Sequence, residues 1–165
     1  MNKKILISTG GSGGHVIPAT IIYKHLEHSF DVSMTTDLRG IKFLNKEEYN
    51  LKIFNVRPIS KNLLTIPFDF LLILVLIFKS IIFLRKNKIN VLISTGGYMS
   101  LPLCLSAKIL NIKLLLFEPN MVLGRSNKFF ISYCQKIFCY SNNIKKLPIK
   151  FKNKIKVIPA LLRKN

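Results

Sequence analysis

The residues best placed to do chemistry here are glycines. Gly10-Gly11-Ser12-Gly13-Gly14 follows the apolar run Ile5-Leu6-Ile7 and leads into His15-Val16-Ile17-Pro18-Ala19, a stretch able to start a helix. Where a strand breaks into glycines and then turns helical, backbone N–H groups are left unpaired at the positive end of a helix dipole. Such a turn holds anions. The same word recurs, because Ile7-Ser8-Thr9-Gly10-Gly11 is repeated as Ile93-Ser94-Thr95-Gly96-Gly97. Two such turns at the carboxyl ends of neighbouring parallel strands would face one crevice, the place where open α/β sheets bind ligands. The expected ligand carries a phosphate or diphosphate, held between Gly10–Gly14 and Gly96–Gly97.

His15 directly follows the first turn. The dipole at a helix N-terminus favours a neutral imidazole, suited to act as a base or a hydrogen-bond donor. Glu118 and Asn120 follow a strand, at the end where α/β sites collect polar groups. His25 and His28 share a helix face without a third ligand and read as solvated. Neither common nucleotide fingerprint fits the first turn. A P-loop needs Lys-Ser/Thr after its last glycine, whereas His15-Val16 stands there. A dinucleotide fingerprint beginning at Gly11 meets Val16 in place of its third glycine, although Asp37 falls near the ribose-binding distance.

The elements that must position these groups alternate. Strands are expected over residues 5–8, 31–36, 51–56, 90–95, 113–117, 136–140 and 154–158. Helices are expected over residues 15–28, 39–48, 102–110 and 126–134, with a turn or helix over residues 142–147. Alternation of this kind predicts one α/β domain, a doubly wound and mostly parallel Rossmann-like sheet. Its length of 165 residues suits a single domain. The segment from Leu63 to Leu84 is the most apolar, and Arg85-Lys86-Asn87-Lys88 follows it. A buried crossover helix, a helix lying in a membrane interface with its basic end on anionic headgroups, and a membrane span all fit that pattern.

Lys and Arg number 26 against 7 Asp and Glu, a net charge of +19. The surplus favours an anionic partner. The cations are scattered and form no nucleic-acid-binding motif, so no nucleic acid is expected. The cysteines, Cys104, Cys134 and Cys139, suggest neither a disulfide framework nor a zinc site, which fits a reducing compartment. No metal and no cofactor are expected. Met1-Asn2-Lys3-Lys4 has the charge of a secretory n-region, but the apolar run behind it is too short for one, so an intracellular protein is expected.

Three separated stretches carry a resemblance. Gly10 to Ala19, then Gly96-Gly97-Tyr98-Met99-Ser100-Leu101-Pro102, then Glu118-Pro119-Asn120-Met121-Val122-Leu123-Gly124-Arg125-Ser126-Asn127-Lys128 resemble, in order and spacing, the MurG family of glycosyltransferases. The resemblance implies the N-terminal half of a GT-B enzyme, residues 1–165 forming one acceptor-binding domain with the C-terminal donor domain absent. It implies an inverting hexosyltransferase of peptidoglycan synthesis. N-acetylglucosamine would move from UDP-N-acetylglucosamine to undecaprenyl-diphosphate-linked muramyl-pentapeptide, at the cytoplasmic face of the inner membrane. It implies that His15 and Glu118 are catalytic. Ser12, Gly13, Gly14, Asn120 and Arg163 would bind substrate by their match to the family's motifs, and Gly96, Gly97, Tyr98 and Asn127 lie in the matching words. Phe117 and Pro119 replace a histidine and a glutamine of the family, and the Asn-Pro before its arginine is absent at Arg163. Either the chain is a fragment or truncated gene product, or a separate donor-domain chain supplies the rest; the alternative is a non-catalytic membrane-recruiting subunit of a two-chain enzyme.

Overall fold

The computed structural model describes residues 3–54, 56 and 66–160, and the side chains of residues 66 and 67 fall outside that description. Seven parallel strands form one sheet. They are β1 (Lys4–Ser8), β2 (Asp31–Thr36), β3 (Leu51–Ile53), β4 (Val91–Ser94), β5 (Lys113–Glu118), β6 (Lys136–Cys139) and β7 (Ile155–Val157). Their spatial order is β3-β2-β1-β4-β5-β6-β7. The chain thus winds outward from β1 in one direction, crosses over, and continues from β4 in the other. Leu6 lies in register with Ser33 on one side and Leu92 on the other. The gap between β1 and β4 is the topological switch point, the position where such sheets open a crevice.

Four helices cover the sheet: α1 (Gly13–Leu26), α2 (Ile66–Lys86), α3 (Ser100–Ile109) and α4 (Arg125–Phe130). On one face Leu6, Leu92, Leu114, Leu116 and Ile137 pack with Leu84 of α2, Leu103 and Ala107 of α3 and Phe130 of α4. On the other, Ile5, Ile7, Val32, Met34 and Ile93 pack with Ala19, Ile22 and Tyr23 of α1. Alternate residues of a strand point to opposite faces, so runs such as Ile5-Leu6-Ile7 must be apolar throughout. Cys104, Cys134 and Cys139 are buried and unpaired.

Several boundaries differ from the sequence expectation. The expected helix over residues 39–48 is two 3₁₀ turns, Gly40–Phe43 and Lys46–Glu48, because Asp37 takes the Gly40 N–H and anchors the chain there. α1 begins at Gly13, which moves Pro18 out of the first turn to the sixth helical residue. There it removes the bond that the Gly14 carbonyl would accept. α4 ends at Phe130 instead of reaching Cys134; Lys154 donates to the carbonyls of Ile131, Ser132 and Cys134 at 2.9, 2.9 and 2.7 Å and caps that turn. Residues 142–147 form a turn, bridged to Val122 at Lys145.

α2 is the crossover to β4 and packs on α3, where Ser106 Oγ donates to the Ile77 carbonyl at 3.0 Å. Ser80 and Leu84 are buried, whereas Phe70, Leu71, Leu74, Val75, Phe78 and Ile82 are exposed. At 100° per residue Leu71, Leu74, Val75, Phe78 and Ile82 fall on one stripe, and Arg85 and Lys86 flank its end. Among the described residues no helix is long and apolar enough to cross a membrane. Residues 63–65 of the apolar segment lie outside the described residues.

Burial raises all three thiols above their usual range, Cys104 to about 12. A buried, protonated thiol is inert. A thiol-reactive disulfide reagent at pH 8 should titrate none of the three in the folded protein and all three in denaturant.

Candidate functional site

The turns that follow β1 and β4 meet. An added Cβ on Gly97 would lie 2.9 Å from the Gly10 carbonyl oxygen, and one on Gly96 would lie 3.1 Å from His15 Cε1. Gly11, Gly96 and Gly97 have φ of +83°, +98° and +88°, where a side chain is strained even without a neighbour. The glycines of both words are therefore required by close approach and by conformation.

Not every amide of these turns faces outward. The Gly11 N–H donates to Asp37 Oδ1 at 2.9 Å and the Gly96 N–H to Ser94 Oγ at 3.2 Å. Both are consumed internally, a correction to the expectation of an open row of donors. Among the described residues the N–H groups of Gly13, Gly14, Gly97 and Tyr98 have no partner. Those of Gly13 and Gly14 open α1, where its dipole adds to them.

Between the turns lies a cavity of about 630 Å³. Ser12, His15, Gly96, Gly97, Tyr98 and Asn127 line it together, as the sequence words suggest. Arg39, Leu101, Arg125, Ser126 and Phe129 line it too, and no carboxylate does. Two arginines with free amides and no acid make an anion site. A smaller hollow of about 400 Å³ at the opposite strand ends is lined by Lys4, Asp31, Lys52 and Lys86. It holds none of the candidate residues.

His15 Nδ1 lies 2.7 Å from the Thr95 carbonyl oxygen. A carbonyl only accepts, so Nδ1 carries the proton of this bond and, in the neutral ring, Nε2 carries the lone pair. The second turn thus sets the tautomer of a residue on the first. Repetition of the Ser-Thr-Gly-Gly word is the signal that could have shown this pairing.

Glu118 is not in the cavity. It is 1% exposed, and its carboxylate accepts from Asn120 N and Nδ2 at 3.2 and 3.1 Å, Gly124 N at 2.8 Å and Asn127 Nδ2 at 3.0 Å. Four donors leave no free acceptor for a proton from substrate. The side chain folds the loop of residues 119–124 and ties it to α4 through Asn127. Asn120 stands exposed on the same loop with its side-chain amide turned to Glu118. Asn127 also donates to the Phe117 carbonyl at 3.1 Å, while its Oδ1 is buried without a partner among the described residues. Ser100 Oγ, 2.7 Å from the Gly97 carbonyl and 2.9 Å from Ser126 Oγ, ties the second turn to α4. Gly13 lies against Phe43 and Gly14 on the outer surface of the first turn. Arg163 lies outside the described residues.

Asp37 is the hub of the first turn. Besides Gly11, its Oδ1 accepts from Gly40 N at 2.8 Å, and its Oδ2 accepts from Arg39 Nε and Nη2 at 2.9 and 2.7 Å. Burial raises its pKa, but the bonds from Gly11, Gly40 and Arg39 outweigh burial and hold the carboxyl below its ordinary value of 3.8. A carboxylate so occupied has nothing left for a ribose, which removes the support that Asp37 gave to a dinucleotide reading.

A parallel sheet that opens a cavity between two glycine turns at its switch point defines a Rossmann-like domain of the GT-B type. Residues 5–139 match the glycosyltransferase family 28 N-terminal domain, and the chain belongs to that family. It is 87% identical over its whole length to the UDP-N-acetylglucosamine--N-acetylmuramyl-(pentapeptide) pyrophosphoryl-undecaprenol N-acetylglucosamine transferase of Pelagibacter ubique (strain HTCC1062), and covers 46% of that protein. To the enzyme of the same name from Rickettsia prowazekii (strain Madrid E) it is 34% identical, with 99% of this chain and 42% of that protein covered. The chain spans about half the length of the curated relatives it matches. The crystal structure of MurG from Acinetobacter baumannii superposes with a TM-score of 0.79 at 23% identity, over 98% of this chain and 47% of that one. A UDP-GlcNAc 2-epimerase from Neisseria meningitidis has the same fold, with a TM-score of 0.60 at 17% identity, over 93% of this chain and 45% of that one.

Two variants test this geometry. Gly97→Ala should cost about 2 kcal/mol or more from positive φ and the Gly10 contact, read as a lower urea midpoint. Because the folded pKa of Asp37 is depressed, its contribution is full above the ordinary carboxylate value. It fades as pH falls through the lower folded value. Asp37→Asn should therefore lose about 2 kcal/mol at pH 7 and flatten the stability profile below pH 4.

Proposed function

We propose that this chain is the acceptor-binding half of an inverting hexosyltransferase that moves N-acetylglucosamine from UDP-N-acetylglucosamine to the muramyl sugar of an undecaprenyl-diphosphate-linked pentapeptide. One observation carries the reading. His15, its Nδ1 tied to the Thr95 carbonyl, lines a cavity that also holds free backbone amides and two arginines but no acid. The acceptor's diphosphate lies at the N–H groups of Gly97 and Tyr98, which line the cavity, and its sugar lies against His15. The 4-hydroxyl gives its proton to Nε2 and its oxygen attacks the anomeric carbon, while the bond to the UDP oxygen breaks on the opposite face. Ser12 and Asn127 contribute to the substrate site from the wall of this cavity, and Asn120 and Arg163 are assigned to substrate by their match to the family's motifs. That half comes from the remainder of a longer chain or from a second polypeptide. Names of the relatives and the likeness of fold support the substrates.

The protein works as a peripheral enzyme on the cytoplasmic face of the inner membrane. Support comes from the exposed apolar stripe of α2 and the Arg85 and Lys86 that flank its end, a pattern that seats a helix in the interface of an anionic bilayer.

Completed with a donor domain, His15→Ala should lower kcat by roughly 100-fold or more with little change in KM, and an unchanged kcat would remove His15 as the base. Phe78→Asp with Leu74→Asp should abolish sedimentation of the chain with phosphatidylglycerol vesicles while leaving its thermal midpoint within a few degrees, both side chains being exposed.

A further inference from the structure

Arg39 carries no part of the family words, yet it is the best-anchored cation in the cavity. We propose that Arg39, held by Asp37, is the side chain that grips the diphosphate of the lipid-linked acceptor. The inference rests on the acceptor reading above and adds a residue to it. Its basis is the division of labour on one carboxylate. Asp37 Oδ1 alone ties the turn together, taking Gly11 N–H and Gly40 N–H at 2.9 and 2.8 Å. Oδ2 is left to Arg39, which binds it through both Nε and Nη2 at 2.9 and 2.7 Å.

The bidentate pair does not bury the arginine. Its side chain is 47% exposed against 2% for Asp37, and it lines the cavity. A guanidinium has five N–H donors in one plane, of which the pair uses two. Three remain, all on the Nη atoms, away from Asp37. Nη2 stands 3.7 Å from the point where a Gly11 Cβ would be, beside the turn that opens α1. Planar paired donors match two phosphate oxygens, a match that lysine's single ammonium cannot make. Because Asp37 already fixes the rotamer, less freedom is lost when the anion arrives. Arg125, exposed on the far wall at the start of α4, leaves the diphosphate bracketed by two cations.

A plain surface ion pair would be the competing account, since such pairs contribute little and need no ligand. Titration calorimetry of the 165-residue chain with farnesyl diphosphate, farnesyl monophosphate and inorganic pyrophosphate separates the two. Arg39→Gln should weaken farnesyl diphosphate roughly tenfold or more, weaken pyrophosphate in parallel, and change the monophosphate by less than about threefold. Arg39→Lys, which keeps the charge and loses the fork, should recover only part of the affinity. The thermal midpoints of both variants, followed alongside, should stay within a few degrees of the parent. Equal diphosphate affinity in parent and Arg39→Gln would overturn the role of Arg39 and leave the acceptor reading standing. Failure of the parent to bind any prenyl diphosphate would overturn both.

Discussion

Everything at the site depends on how closely two backbones approach at the switch point. Gly97 has the Gly10 carbonyl where its side chain would be, and Gly96 has His15 there. The parallel pairing of β1 with β4 brings the two turns side by side, but only paired glycines let them touch. From that contact follow the Nδ1 proton of His15, fixed by Thr95, and the narrow floor of the cavity. A single β-carbon at either turn would separate His15 from the carbonyl that orients it.

Two buried carboxylates organise the surroundings of the cavity. Asp37 braces the first turn from the side of β2, and Glu118 braces the loop between β5 and α4. Each satisfies backbone N–H groups that would otherwise be costly to bury. Each also fixes a polar side chain at the cavity, Arg39 in one case and Asn127 in the other. The site is therefore lined by groups held from behind by acids and is itself free of acid. Such an arrangement keeps the cavity hospitable to anions while the elements around it remain rigid.

The strands, their parallel order, both glycine turns and the place of His15 were legible in the sequence, because apolar runs ending in glycine have few other uses. The braces were not. Asp37 stands at the distance expected of a ribose-binding acid, and spacing alone cannot tell a carboxylate facing a ligand from one facing four donors of its own chain. Glu118 had the same ambiguity, since the end of a strand is where both catalytic and loop-folding acids sit. Arg39 escaped notice among 26 cations for want of a distinguishing neighbour in sequence, and Arg125, although inside the third family word, was given no role. The short 3₁₀ turns after β2 were read as a helix because local polarity patterns do not reveal where a distant side chain will seize a backbone amide.

The strand order carries a consequence in time as well as in space. Ile5 pairs with Val91, so the second neighbour of the first strand leaves the ribosome long after it. Until then β1 has only β2 beside it, His15 has no carbonyl to meet, and the apolar crossover helix has been synthesised without α3 to pack on. Non-local pairing of this kind slows folding and prolongs the life of sticky intermediates. A nascent chain of this protein thus leaves the apolar stripe of α2 and the open edge of β1 uncovered until the second half of the sheet arrives.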